Sequence, residues 1–390
     1  MPRHAGQASA EYVAALLLVA IVLAGAAAAV AHPPLAQAVT HHIRLGICLV
    51  WGDVCRDADA QAAGLAPCTV AERSEAAGRA VSVAIVRFGR RLEWALAERS
   101  DGSVVVTRTS GGGGGVTAGV GADVSALGVR AGVDGRVEAR FTAGTSWELP
   151  SRAAAKPFLA AVSRGADPPL PPTEEWREGG TELGATAGMS GDVPLVPGRL
   201  GAPAAAGVDA TLRNALGRRT RGGRTTWYLK AEAVPAHLFA KLAGSRASAP
   251  ASREAIVEYT ADARGPAELR LRAAAGAGGE VTELSSRLDL RDPANQAAAA
   301  AVLGALPSLS GARSATAALA ARMASHGVIE RATYAVATRD DGWELTGRLG
   351  FALGAEVERT STRRRLVAAD AWTNGSRRRA RFDCLDDSVV

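Results

Sequence analysis

The sequence predicts an α+β protein: a single N-terminal transmembrane helix, then a β-rich extracytoplasmic body of extended antiparallel sheet with a few covering helices. Three observations carry that expectation. An uncharged run of Leu, Val, Ile and Ala extends from Val13 to Ala31. From about Val81 onward, apolar and polar residues alternate more often than they recur at helical spacing. Composition fits both parts, because 47% of the 390 residues are hydrophobic, enough for a sizeable core and too many for wholesale disorder. Aromatics are only 4% while glycine reaches 44, so any core relies on small side chains packed closely.

The apolar run comes first in the chain. Counted from Tyr12 it is about as long as a bilayer core is thick. Pro33 and Pro34 then end the helix, since neither donates a backbone hydrogen bond. Arg3 is the one firm positive charge ahead of the run, which keeps the short N-terminal end in the cytoplasm and the body outside. Three readings compete. An uncleaved signal anchor is the plainest. Ala29-Val30-Ala31 also has the small-x-small pattern of a secretory cleavage site. The third follows from a basic leader ending in Gly6, with Glu11-Tyr12 five residues later at the head of the helix.

That leader resembles the class III signal of type IV prepilins, and the Glu11-Tyr12 pair looks like the Flp pilin and TadE-like branch. The resemblance covers residues 3 to 31 only, and Flp pilins are far shorter than this chain. It implies cleavage after Gly6 by a prepilin-type peptidase, Gln7 as the new N-terminus, and Glu11 as its fifth residue. A carboxylate at the head of a membrane helix is unfavourable without a partner, and a neighbouring Gln7 α-amine would supply one. At the interface the same carboxylate needs none, and a helix N-terminus favours it.

The next segment, residues 32–70, is a neck holding Cys48, Cys55 and Cys68, while Cys384 lies near the C-terminus. An even count outside a bacterial membrane favours disulfides. Four cysteines allow three pairings, and the expectation is one bridge within the neck and one from Cys384 back to it. Zinc is the rival, with His41 and His42 nearby, but the cysteine spacings are not those of a structural zinc site. No metal or cofactor is expected.

In the body, residues 71–166 read as a β-rich domain with one helix. Val81 to Phe88 and Trp94 to Arg99 read as strands, and Asp101-Gly102 turns the chain into Ser103 to Arg108. The run Gly111 to Gly115 lacks the context of a phosphate loop and reads as a flexible connection. An alanine-rich helix ends near Leu159. Residues 167–173, rich in proline, form a stiff linker. Residues 174–390 read as a second β-rich part with helices. Its Glu254 to Tyr259 and Glu268 to Arg272 stretches alternate as in a sheet with one wet face. Asp292-Pro293 is a good helix start, Ala315 to His326 is a helix, and Asp340-Asp341-Gly342 and Asn374-Gly375 read as turns.

The search for chemistry is negative. There is no nucleophile elbow, no H-E-x-x-H and no C-x-x-C. His237 and His326 fall in predicted helices, and Glu174-Glu175 reads as a solvated linker face. The formal charge is +6, yet only Lys156, Lys230 and Lys241 among the 45 basic residues are lysine. That arginine skew beside Ala and Gly is what GC-rich coding produces, so nucleic acid is not the expected partner. Arg218-Arg219, Arg363-Arg364-Arg365 and Arg377-Arg378-Arg379 read as solvated faces or contacts with an anionic envelope. The expectation is a non-catalytic, single-pass cell-membrane protein with a prepilin-like N-terminus, an accessory of a Tad/Flp-type pilus. Its partners would be the membrane, the prepilin peptidase and pilus or envelope proteins. The alternative is an extracytoplasmic module binding lipid or another ligand.

Overall fold

The computed structural model describes residue 48 and residues 52–385, apart from 84–85, 119–122, 125–128, 132–134, 186–188, 195–200, 207–209, 233–253, 278, 306–308 and 349–351. The expected leader (1–6), the transmembrane helix (7–31) and the processing residues Gly6, Gln7, Glu11 and Tyr12 lie outside the described residues. Seventeen strands are described, β1 Thr69–Val83, β2 Val86–Arg99, β3 Val104–Ala118, β4 Asp123–Val124, β5 Val129–Ala131, β6 Gly135–Leu149, β7 Glu174–Ala185, β8 Met189–Pro194 and β9 Gly201–Ala206 in the first half. The rest are β10 Ala210–Arg221, β11 Arg224–Glu232, β12 Glu254–Asp262, β13 Gly265–Ala277, β14 Glu280–Asp289, β15 Val328–Arg348, β16 Ala352–Thr373 and β17 Arg379–Ala380. The helices are α1 Asp57–Ala62, α2 Arg152–Ser163, α3 Pro293–Ala305 and α4 Leu309–His326.

Twelve of these strands, β1 to β3, β6, β7 and β10 to β16, form one antiparallel sheet that closes on itself. Closure is made by β1 on β16, paired from Ala71↔Arg365 to Val83↔Leu353. The α+β body with an open sheet is therefore corrected to a closed β-barrel. Strands on both sides of the proline-rich 167–173 segment belong to the same sheet. A small four-stranded sheet of β4, β5, β8 and β9 extends from the β3–β6 and β7–β10 connections.

Pairing fixes the size of the barrel. A path of directly paired residues leads from Val357 on β16 through Arg79, Arg90, Gly112, Phe141, Gly179, Leu216, Leu229, Val257, Leu271, Ser286 and Ile329. It returns to β16 at Trp372, fifteen positions from its start, one of which is the bulged Val367. Such a stagger over twelve strands tilts them by about 40° and gives a backbone diameter of roughly 20–25 Å.

Several local expectations change for the same reason. Gly111 to Gly115 is no loose connection: it runs inside β3, paired to β2 on one side and β6 on the other. Main-chain bonds on both sides hold residues that have no side chain to contribute. Val81 to Phe88 is not one strand, because β1 ends at Val83 and pairs back through Val83↔Val86. Asp340-Asp341-Gly342 is no turn but the middle of β15, whose partner β16 runs alongside throughout. Asn374-Gly375 does turn the chain, with φ values of 49° and 71°.

Helices α2, α3 and α4 lie on one face of the wall. Ser151 caps α2, its hydroxyl accepting from the Ala154 N–H, and Phe158 and Ala155 pack on Val104, Val106, Trp147 and Leu149. Leu319 and Met323 of α4 and Ala299 of α3 pack on Leu269, Leu271, Leu284, Leu288, Ile329 and Trp372. This face is the convex one. On the opposite face, ion pairs such as Arg219 (β10) to Glu258 (β12) and Arg364 (β16) to Glu283 (β14) reach past an intervening strand, which only the shortened span of a concave wall permits.

Two inward glycines accept aromatic rings. A Cβ on Gly217 would fall within the ring of Tyr228, its direct partner, and one on Gly144 would meet Trp176 likewise. Gly217→Val should cost about 1–3 kcal/mol by overpacking, read from the midpoint of urea unfolding, with part recovered in Gly217→Val/Tyr228→Ala. A second prediction concerns the start of α3. The N–H groups of Asn295 and Ala294 donate to the Asp292 carboxylate at 3.2 and 2.8 Å and hold its carboxyl below the ordinary aspartate value. The charged form is thus favoured by folding, so its contribution is full above about pH 4 and is lost as pH falls through the lower folded value. Asp292→Ala should lower Tm at neutral pH, and that gap should close in melts recorded at progressively lower pH below about 4.

Candidate functional site: the barrel lumen

Because side chains alternate across a strand, closure sends every second residue inward. Inward positions include Glu138, Arg140 and Thr142 of β6, Glu268, Arg270 and Arg272 of β13, and Glu356, Glu358, Thr360, Thr362 and Arg364 of β16. Their outward neighbours are Ala139, Phe141 and Ala143, then Leu269, Leu271 and Ala273. The wet face anticipated from the alternation of Glu268 to Arg272 is real, but it is the concave one. Glu174 and Glu175 are likewise not a solvated linker face; they open β7, where Glu174 points inward and reaches toward Arg219 at 3.8 Å.

Charges inside the lumen are paired across strands. Glu258, with a side chain only 3% exposed, receives Arg272 at 2.9 Å and Arg219 at 3.2 Å, with Arg270 at 4.0 Å. Arg270 also meets Glu268 at 2.9 Å, and Lys230 meets Glu178 at 2.7 Å. Arg364 bridges Glu72 at 3.3 Å and Glu283, and lies over the Tyr334 ring. Arg99 and Arg221 share Glu148. Desolvated charges of this kind persist only when paired.

Where glycine replaces a side chain the lumen widens. A hollow of about 300 Å³ lies against Gly78, Gly89, Gly111 and Gly113, with Glu93, Glu138, Glu356, Glu358, Arg91 and Arg140 around it. A second, of about 230 Å³, shares Arg140 and Thr142 and continues to Glu178, Arg213, Lys230 and Glu254. Polar atoms line both. The alternative of a lipid- or ligand-binding module, whose curved sheet with small inward residues would enclose an apolar ligand, is thus corrected: the inward residues are mostly charged, hydroxylic or glycine.

One mouth is filled by the neck and the C-terminal segment. Cys48 is bridged to Cys55, and Cys68 to Cys384. Val54, Ala60 and Leu65 pack on inward-facing Ala371 and Val328. Cys68 and Cys384 pack among Tyr334, Leu366, Ala369, Ala332 and Val336 of the inner wall. Arg381, 1% exposed, donates to Glu330 at 2.7 Å, to the Ala66 carbonyl at 2.9 Å and to Asp383 at 2.6 Å. Arg287 donates to the Gly64 carbonyl, and the Asp53 carboxylate accepts from the Ala380 N–H. Burial near Asp383 pushes the Asp57 carboxyl of α1 up.

The alternation of Glu138 to Thr142 with its apolar neighbours carries the same signal for lumen residues as that of Glu268 to Arg272. His237, His41 and His42 lie outside the described residues. His326 ends α4, its Nδ1 2.6 Å from the Ser325 hydroxyl. Arg363 and Arg365 point outward on β16 while Arg364 points inward.

No family model and no curated protein matches the chain. Among solved structures it is similar to a mutant of the Rh. blastica porin, at 7% identity and TM-score 0.20, covering 75% of this chain and 99% of that one. It is also similar to the translocator domain of autotransporter NalP from Neisseria meningitidis, at 10% identity and TM-score 0.16, covering 85% and 96%. A third is Pseudomonas putida OprB, at 8% identity and TM-score 0.17, covering 75% and 93%. Superpositions this loose carry no argument, and the barrel stands on its own strand pairing.

Closure overturns the remaining expectations for the body. A single-pass protein hung from an N-terminal helix beside the cell membrane, with a peptidase and pilus proteins as partners and a pilus-accessory role, is replaced by a twelve-stranded barrel with a charged lumen. None of the described helices is long and apolar enough to cross a membrane.

Glu258→Ala removes the shared partner of three arginines. It should destabilise the barrel by about 3 kcal/mol, whereas Glu258→Ala/Arg272→Ala should recover part of that loss, measured by chemical denaturation.

Proposed function

We propose that this protein is a membrane-inserted β-barrel whose lumen is an aqueous path for ions and small polar solutes, closed at one mouth by the neck and C-terminal segment. The observation carrying it is the polarity of the wall. Phe141, Leu216 and Phe88 stand outward at 70%, 58% and 64% exposure while Glu258, Arg219 and Arg272 are paired inside. A water-soluble barrel gains by the reverse arrangement, with apolar residues inside. In a bilayer, a closed barrel leaves no unpaired strand edge, and polar residues face the lumen. The function is passage, not catalysis.

The plug makes the reading specific. Cys68–Cys384 ties the segment before β1 to the segment after β17 across the mouth. The full chain, reconstituted in planar bilayers, should show unitary current steps that are rare when oxidised. They should become frequent after reduction or in Cys68→Ser/Cys384→Ser. Absence of steps in both redox states would sink the proposal.

A further inference from the structure

The outer wall is not uniformly apolar. On four neighbouring strands it carries Arg339 (β15), Arg359 (β16), Arg79 (β1) and Arg90 (β2), all exposed. Arg79 and Arg90 are direct cross-strand partners, and like charges placed directly opposite destabilise a sheet unless an anion joins them. Among the described residues neither has an acidic partner. Arg359 lies one outward position from Arg79 and meets Glu75 at 3.7 Å, and Arg339 meets Asp341 at 3.1 Å, both on the surface. Further down the same strands stand Arg73, Arg363 and Arg365, with Arg73 directly opposite Arg363. Among the described residues, seven arginines thus stand with two carboxylates, Glu75 and Asp341, while Glu98 in the row of Arg365 is held by Arg152.

We infer that this arginine face, centred on Arg79 and Arg90, binds the phosphate of anionic lipid headgroups. The charge excess excludes the same face of a second copy, which would set like charge against like. Guanidinium groups on adjacent strands suit phosphate oxygens. The next outward row gives the apolar part of an amphiphile a place. There Val81 and Phe88 are also direct partners, 53% and 64% exposed, while Leu92 flanks Arg90 on its other side. A cationic row beside an apolar row on a convex wall matches a phosphate head joined to an acyl chain. The inference goes beyond passage through the lumen and does not require the barrel to conduct.

The test uses the full chain in nonionic detergent and native mass spectrometry with short-chain lipids, so it reads the patch apart from insertion. Dihexanoyl phosphatidylglycerol should bind at least ~10-fold more tightly than dihexanoyl phosphatidylcholine, and more tightly than inorganic phosphate. Arg79→Gln/Arg90→Gln should abolish the preference and each single variant should weaken it, with an unfolding midpoint no lower than that of the unaltered chain. Arg177→Gln, on distant β7, should keep it. Equal binding of the two lipids overturns the inference, as does a preference that survives the double variant. Inorganic phosphate bound as tightly as phosphatidylglycerol would overturn the lipid assignment.

Discussion

Pairing of β1 with β16 is the constraint on which everything else depends. Thirteen residues of the first barrel strand, Ala71 to Val83, align with Arg365 to Leu353 of the last. Without that ladder the twelve strands would be an open sheet with two exposed edges, and open edges invite association. With it there is an inside and an outside. Alternating residues that would otherwise be equivalent then acquire opposite roles: Glu268, Arg270 and Arg272 line a lumen, while Leu269 and Leu271 support helices.

Charge pairing and closure reinforce one another. Arg270 and Arg272 reach Glu258 from the adjacent strand β13, and curvature brings Arg219 of β10 to it past β11 on the concave side. Glycine serves the same end, since inward Gly217 and Gly144 leave room for Tyr228 and Trp176 to lie across the wall. The mouth is settled differently. There the buried Arg381 holds Glu330, Asp383 and the Ala66 carbonyl together, and Cys68–Cys384 clasps the segments before β1 and after β17 to the inner wall.

On the outside, physics divides the wall. Helices α2, α3 and α4 cover the apolar outer faces of β2, β3 and β6 and of β12 to β16. Beyond them Phe141, Leu216 and Trp227 remain exposed. The strands nearest the closing seam carry arginine instead. One wall therefore presents apolar, helix-covered and cationic sectors to its surroundings, while the lumen away from the plugged mouth is mostly polar.

Much of the local structure was legible in the residues. Asp292-Pro293 announces α3, Asn374-Gly375 the last turn, and the charged-apolar alternation of β12 and β13 their strand character. Gly111 to Gly115 was illegible because a glycine run carries no side-chain pattern, and only paired neighbours make it a strand. Asp340-Asp341-Gly342 misled because its turn chemistry is overridden by an unbroken ladder to β16. The sequence by itself determined that these segments would be extended, where several turns and helices begin, and that its cysteines were even in number. Tertiary structure alone decided that the sheet closes, which face turns inward and which cysteines meet. A two-residue period is unchanged when its faces are exchanged, and closure joins the first and last barrel strands in the sequence, a contact no local pattern encodes.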